Sequence, residues 1–387
     1  MKANTESSKK TQIIRIFIVS VLLWFSLFVY LPTLPTLLTA KMGNLTTVGL
    51  ILSMFGLVQL VFRIPLGLVS DISGNSKIFI IFGFLFMGAG SLILGYGDSL
   101  GILMIGRALT GFGAVIWVLI VSVFTRLFSI KKVVSATALI TIANGAGKAI
   151  STFMTGFLNE WGWGGEKTVF FAAAIASIAA ILLLLTIKIE KTKPMKFSLT
   201  ELSNLFKKQE IIIATIGNGI GMMGLWAITL SFLPVKAEML GAGDVQIGLI
   251  TSLHLAAFTL SNYINSRLSR EISIKKRVFS AALIFSLGNA LAVIAPTVFW
   301  LFMIGIISGL GYGVLQSTFI GLSIMKVDIS QRSTALGFHQ SLYSLGIFIG
   351  PWLGGILADY FGINTMFGII SIFCLAGLLV VSKLIRD

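Results

Sequence analysis

Three positively charged side chains, Arg63, Arg107 and Lys148, fall inside long apolar runs, with no Asp or Glu beside them. A charge held away from water costs several kcal/mol, roughly, and is kept where it meets a partner. All 14 acidic residues lie between the apolar runs or at their ends. An anion taken from an aqueous cavity is therefore the natural counter-charge for the embedded cations. Arg107 lies about seven residues and Lys148 about ten from the same end of successive runs, depths of ~10 and ~15 Å at 1.5 Å per residue. On neighbouring helices an anionic group can bridge the two. Arg107 also fits a packing role, bonded to backbone carbonyls. Arg63 lies nearer the other end of its run, where a long side chain snorkels to the interface; anchoring or gate lining is its expected role.

Asn144, Trp24, Trp117, Trp226, His254, Gln316, His339 and Tyr343 are the further candidates for a polar cavity wall. Each aromatic among them suits packing at the interface equally well. His254 and His339 are the only mid-run groups that titrate near neutral pH, so a coupling proton would travel through one of them, unless each simply bonds a neighbouring helix. Cys374 is the only cysteine, which excludes a disulfide framework and a CxxC metal cluster. No cofactor is expected. Enzymatic chemistry needs a cluster of nucleophile, acid and base, and no His–carboxylate pair occurs. The stretch Gly145-Ala-Gly-Lys148 lies within an apolar run and lacks the spacing of a nucleotide-binding loop.

The elements that must position these residues are membrane helices. Apolar residues make up 56% of the 387 positions and charged residues 11%, against about a quarter charged in soluble domains. Runs of the ~20 residues needed to cross a bilayer fall near 13–38, 46–70, 77–97, 100–127, 134–158, 168–188, 211–235, 246–268, 277–297, 299–325, 333–358 and 364–384. The first is too long for a signal-peptide core and reads as a retained helix. The expected organisation is a six-helix bundle over 1–188, a cytoplasmic linker over 189–210 and a second bundle over 211–387. With the N-terminus inside, 23 of the 29 Lys and Arg are cytoplasmic; Lys41, Lys167 and Lys236 are outside, and three lie within spans. Such a bias sets orientation by the positive-inside rule, places both termini in the cytoplasm, and accounts for the net charge of +15 without a nucleic-acid partner.

The two halves align without gaps at an offset of 199 residues: 48–71 matches 247–270, with Gly49 on Gly248, Ser53 on Ser252, Ser70 on Ser269, Pro35 on Pro234 and Lys77 on Lys276. Six-helix units in the same orientation are parallel repeats related by an axis along the membrane normal, with a binding site at their interface. The 41 glycines, including Gly106, Gly111, Gly113, Gly350 and Gly354, allow close helix contact.

On these residues the chain resembles the major facilitator superfamily over nearly its whole length. Gly67-Leu-Val-Ser-Asp71-Ile-Ser-Gly74-Asn-Ser-Lys77 is similar to the family's loop after helix 2, with Ile72 and Asn75 in place of two arginines. Arg107-Ala-Leu-Thr-Gly111-Phe-Gly113 resembles the helix-4 pattern, and Gly350-Pro351-Trp-Leu-Gly354-Gly355 that of helix 11. The resemblance implies an all-α integral membrane protein of twelve helices that binds a small solute between its halves and exposes it alternately to each side. It also implies an inner gate formed by Gly67, Asp71, Gly74 and Lys77, with Asp71 capping helix 11 near Ser333 or pairing with Arg126 or Arg332. Helix 5, Asn144-Gly-Ala-Gly147-Lys148, lacks the Gly-Pro motif of the family's drug exporters.

The expectation is thus a monomeric secondary transporter of the cell membrane, moving a small anionic solute and coupled to a proton or a counter-anion. An exporter of amphipathic drugs is the alternative; a membrane sensor or enzyme is a distant third. Asp71→Asn is expected to raise the population open to the cytoplasm by weakening one state only. Unchanged labelling of a cytoplasmic-side cysteine probe in that variant would count against the gate assignment.

Overall fold

The computed structural model describes residues 2–129, 132–189, 191, 207–268, 271–327 and 331–385, with side chains for all of these except 2–8, 71, 133–135, 138, 268 and 333. Most of the expected linker (190 and 192–206) and one end of the second repeat segment (269–270) lie outside the described residues. The first half comprises α1 (Lys2–Phe28), α2 (Leu34–Met42), α3 (Leu45–Ser73), α4 (Ser76–Tyr96), α5 (Leu100–Val115), α6 (Trp117–Arg126), α7 (Val133–Trp161) and α8 (Thr168–Leu185). The second comprises α9 (Gln209–Gly224), a π-helical segment (Leu225–Phe232), α10 (Leu233–Met239), α11 (Asp244–Leu268), α12 (Ile274–Ala290), α13 (Val298–Met325), α14 (Arg332–Phe361) and α15 (Ile363–Leu384). Among the described residues, eleven helical stretches are long and apolar enough to cross a bilayer; with the 29-residue α7 they make twelve columns. The described residues are all-helical, because in lipid each backbone N–H and C=O must be paired within its own segment.

Several expected runs are interrupted for local reasons. The first run breaks between α1 and α2, where Pro32 has no N–H to continue the ladder. The fourth breaks at Ile116, a turn between α5 and α6. The seventh widens into the π segment just before Pro234. Pro35 and Pro234, paired by the sequence repeat, both sit in the opening turn of a short helix, α2 and α10, where proline's fixed φ is preorganised. These two short helices meet each other. Hereafter the face carrying the start of α1 is the basic face, and the other the opposite face.

The halves join along two seams, α3 with α14 and α7 with α11, and the repeat is visible in their contacts. A Cβ on Gly49 would collide with the Pro351 carbonyl; one on Gly248 would lie 2.9 Å from the Thr152 carbonyl. Likewise a Cβ on Gly355 would strike Leu45, and one on Gly156 would strike Val245. Positions 49 and 248, 351 and 152, and 355 and 156 each differ by the 199-residue offset, so the same backbone-to-backbone approach is built twice. Within the first half, Gly111 lets α5 approach the Phe55 carbonyl of α3 in the same way, a Cβ there falling 2.9 Å from it.

Cations at helix ends complete the frame. Lys77 Nζ donates to the Ile187 carbonyl (2.8 Å) and Arg15 to that of Thr186 (3.0 Å), at the end of α8. On the opposite face Lys41 donates to the Gly97 carbonyl at 2.7 Å and pairs with Asp98 at 3.2 Å. Lys236, expected in an outer loop, is instead buried in α10, where its ammonium reaches the Ala292 carbonyl and Asn364 Oδ1. Both lysines thus cap the C-terminal end of a repeat-related helix, where the dipole favours a cation. The sequence missed Lys236 because its carbonyl partner comes from a different hairpin. Gly355→Val and Gly156→Val are each expected to lower stability by about 1–3 kcal/mol through overpacking. Gly67→Ala, whose Cβ would meet nothing within 4 Å, should leave the melting temperature unchanged. Equal melting of all three would contradict the seam geometry.

Candidate functional site

Arg107 is buried in α5, 1% exposed, and faces aromatic groups instead of acids. Its guanidinium lies 4.4 Å from the centre of the Phe55 ring of α3 and 5.8 Å from that of Trp226 in the π segment of the other half. Nη1 is 3.5 Å from the Tyr30 hydroxyl, at the break after α1, whereas Nε and Nη2 have no hydrogen-bond partner. Phe55 and Trp226 pack ring to ring at 5.0 Å, so Arg107 sits under a contact between the halves. Tyr30 in turn stacks on Phe170 of α8 at 5.2 Å. The packing expected through backbone carbonyls is replaced by ring faces.

Lys148 projects from the middle of α7 toward α1. Its ammonium is 4.0 Å from the centre of the Trp24 ring and 4.9 Å from that of Phe28, and no carboxylate or hydrogen-bond acceptor among the described residues pairs with it. Gly147 makes this approach possible: a Cβ there would lie 2.7 Å from the Val21 carbonyl. Trp24 meets Trp117 of α6 edge-on at 5.3 Å, and its indole N–H is buried without a partner. Lys148, Trp24, Phe28 and Trp117 therefore form one cluster. Arg107 and Lys148 approach neighbouring stretches of the same chain segment, Tyr30 on one side and Trp24 with Phe28 on the other. Asn144 is half-buried one helical turn from Lys148 on α7.

The two histidines are not on this wall. His254 is fully buried between α11 and α13; Nδ1 lies 3.1 Å from the Gly305 carbonyl and 3.0 Å from Ser308 Oγ, and Nε2 has no partner. His339, also fully buried, lies between α14 and α9, with Nδ1 3.0 Å from Thr215 Oγ1 and Nε2 3.1 Å from Asn218 Nδ2. Tyr312 of α13 donates to Asn218 Oδ1 at 3.2 Å; Tyr343 meets the His339 ring edge-on at 5.4 Å. His339, Asn218, Tyr312 and Tyr343 are thereby one network inside the second half, with Gln316 one turn beyond Tyr312 on α13.

Arg63 does not snorkel. It is buried and crosses the α3–α14 seam, with Nη1 donating to the Gln340 carbonyl (2.9 Å) and Nη2 to Gln59 Oε1 (2.5 Å). Next to it Ser341 donates to the Leu60 carbonyl at 2.8 Å. Of the expected gate, Gly74 ends α3 in the left-handed conformation (φ 66°), its N–H reaching the Ser70 carbonyl at 3.0 Å. Gly67 faces open space. Lys77 is committed to α8, Arg332 donates to the Val327 carbonyl at 3.2 Å, and Arg126 is exposed. The side chains of Asp71 and Ser333 lie outside the described residues. The sequence reading overlooked Tyr30, Phe28, Phe55, Gln59, Thr215, Asn218 and Tyr312. Only Asn218 and Gln59, polar amides within apolar runs, left a signal.

Two repeat-related helical bundles enclosing buried cations at their interface define a multi-pass membrane transporter, a non-enzymatic transport protein. The chain belongs to the Major Facilitator Superfamily, whose family model matches residues 16–236 and 211–387. It is similar to the inner membrane transport protein YajR of Escherichia coli (strain K12), 25% identical over 343 residues, covering 87% of this chain and 74% of the relative. It is also similar to multidrug resistance protein 1 of Bacillus subtilis (strain 168), 25% identical over 341 residues and 85% of each chain. The fold matches the crystal structure of a bacterial homolog of the human lysosomal transporter Spinster, inward-facing and unoccupied, with a TM-score of 0.78, 13% identity and 97% of each chain covered. It matches the nucleoside transporter NupG with a TM-score of 0.78, 18% identity, and 98% and 100% coverage. Asn218→Leu, which strips His339 and Tyr312 of partners, is expected to cost about 1–3 kcal/mol. An unchanged melting temperature would show that the network carries no stability.

Proposed function

We propose that this transporter carries an amphipathic organic anion through the space between its halves by secondary transport. The observation that carries the reading is Lys148: an ammonium held by the faces of Trp24 and Phe28 with no acidic partner among the described residues. Ring faces stabilise a cation by roughly 0.5–2 kcal/mol, and the half-buried ammonium has no acidic partner among the described residues, so an anion entering the site meets a charge the protein leaves unpaired. The unpartnered N–H groups nearby, the Trp24 indole and Arg107 Nε and Nη2, are all donors. A wall with donors and no carboxylate favours anions over organic cations. The aromatic cluster suits an apolar or aromatic body attached to the anionic group, with Arg107 supplying a second contact when Trp226 moves. The excess of Lys and Arg on the basic face supports a cytoplasmic location for both termini.

A second reading, efflux of drugs irrespective of charge, draws support from the name of the Bacillus subtilis relative. The two are separated by tryptophan-fluorescence titration of purified protein with aromatic carboxylates, amphipathic cations and neutral analogues. The anion reading expects the carboxylates alone to bind. Lys148→Ala should weaken them about 10- to 100-fold, the worth of a charge-assisted hydrogen bond, and Lys148→Arg should restore part of the loss. Undiminished carboxylate transport by a folded Lys148→Ala/Arg107→Ala protein would reject the proposal, and tight binding of cations would favour drug efflux.

A further inference from the structure

The opposite-face end of the α3–α14 seam carries a contact that neither the family motifs nor the candidate site includes. Asp359, in the last turn of α14, accepts from two backbone N–H groups of the other half: Leu45 at Oδ1 (2.9 Å) and Thr46 at Oδ2 (2.7 Å). These are the first two residues of α3. A helix begins with four N–H groups that lack intrahelical partners. Here the Asn44 side chain takes that of Thr47 at 2.8 Å, and the intrahelical ladder begins with Val48 on the Asn44 carbonyl at 3.3 Å. The N–H groups of Leu45 and Thr46 are supplied with acceptors only by Asp359, from across the seam.

We propose that Asp359 is a latch that holds the transporter closed at its opposite face, by completing the N-terminal cap of α3 when the two halves meet. Three features support this beyond the hydrogen bonds. Gly355, one turn earlier on α14, lets the backbones approach so closely that a Cβ there would strike Leu45, which brings the carboxylate within reach. The repeat-related position at the other seam is Glu160, at the end of α7. Its Oε1 would lie 3.8 Å from a Cβ on Gly243, just before α11. The pseudo-symmetry thus places an acid at both helix starts, but hydrogen-bonds it at only one. Finally, Asp359 is solvent-exposed, so separation of the halves returns both carboxylate and N–H groups to water. Charge-assisted bonds between a carboxylate and N–H groups are strong when made and cheap to break where water substitutes, which suits a contact that must form and release in each cycle. The basic-face end of the same helix pair is held differently, by Arg63 on the Gln340 carbonyl and Ser341 on the Leu60 carbonyl.

The test uses the full chain in lipid nanodiscs with Cys374→Ser, spin labels at Ser99→Cys and Thr297→Cys, and pulsed-dipolar distances between the opposite-face loops of the two halves. Asp359→Ala removes the acceptor. Leu45→Pro removes one donor while leaving the acid in place. Proline is accepted at the first helical position, and Asn44 already has the extended backbone (φ −141°, ψ 145°) required before it. Each variant is expected to raise the fraction of long distances at least about fivefold, the shift produced by losing roughly 1 kcal/mol from one state. The double variant should go no further than Asp359→Ala, because both changes remove the same contact. Distances unchanged in both single variants, or effects of the two that simply add, would overturn the proposal; neither result bears on the identity of the transported solute.

Discussion

Close backbone approach at four glycines, Gly49 and Gly355 on one seam and Gly156 and Gly248 on the other, is the constraint on which the remaining geometry depends. Lipid supplies no hydrophobic driving force between helices, so membrane helices associate where small residues let main chains pack closely. By drawing α3 onto α14, the seam brings Phe55 against Trp226 and closes the roof over Arg107. It also carries Arg63 to the Gln340 carbonyl at one end and Asp359 to the start of α3 at the other. A single added methyl group at Gly355 would displace the last of these.

The second theme is an imbalance of charge. Apart from Lys236, which is taken up by the Ala292 carbonyl and Asn364, the spans hold Arg63, Arg107 and Lys148, and no Asp or Glu is buried among the described residues. The three cations are handled in three ways. Arg63 uses carbonyl and amide oxygens and bridges the halves. Arg107 uses the faces of Phe55 and Trp226 and one tyrosine hydroxyl, leaving two donors idle. Lys148 has only the faces of Trp24 and Phe28. The order runs from Arg63, two of whose three nitrogens donate, to Lys148, which has no hydrogen-bond partner among the described residues. Holding a charge in the spans without pairing it has a cost in stability.

The π-helical segment Leu225–Phe232 links the two themes. Local widening of a helix often accompanies function because it reorients side chains without breaking the column. Here it turns Trp226 across the interface, onto Phe55 and over Arg107. The counterpart in the first half is the break after α1, which presents Tyr30 to the same arginine. Pro234 and Pro35, aligned by the repeat, follow these two irregularities and start the short helices beyond them.

The number of spans, the parallel repeat, the basic bias of one face and the embedded cations were all legible in the amino-acid sequence. They follow from local composition: length of apolar runs, spacing of glycine and proline, and the placement of Lys and Arg. The partners of the polar groups were not. Lys236 seemed a loop residue because an ammonium so near a span end normally faces water, and only the tertiary fold brings the Ala292 carbonyl and Asn364 to it. His254 and His339 carried the chemistry of cavity residues, yet each is consumed by a buried contact to a helix distant in sequence. Asp359 looked like an ordinary span-end acid, because its role is set by two backbone N–H groups more than three hundred residues away. A sequence records what a side chain can offer within its own helix; which of those offers is accepted depends on the helix packed opposite, and that is decided only when the halves close.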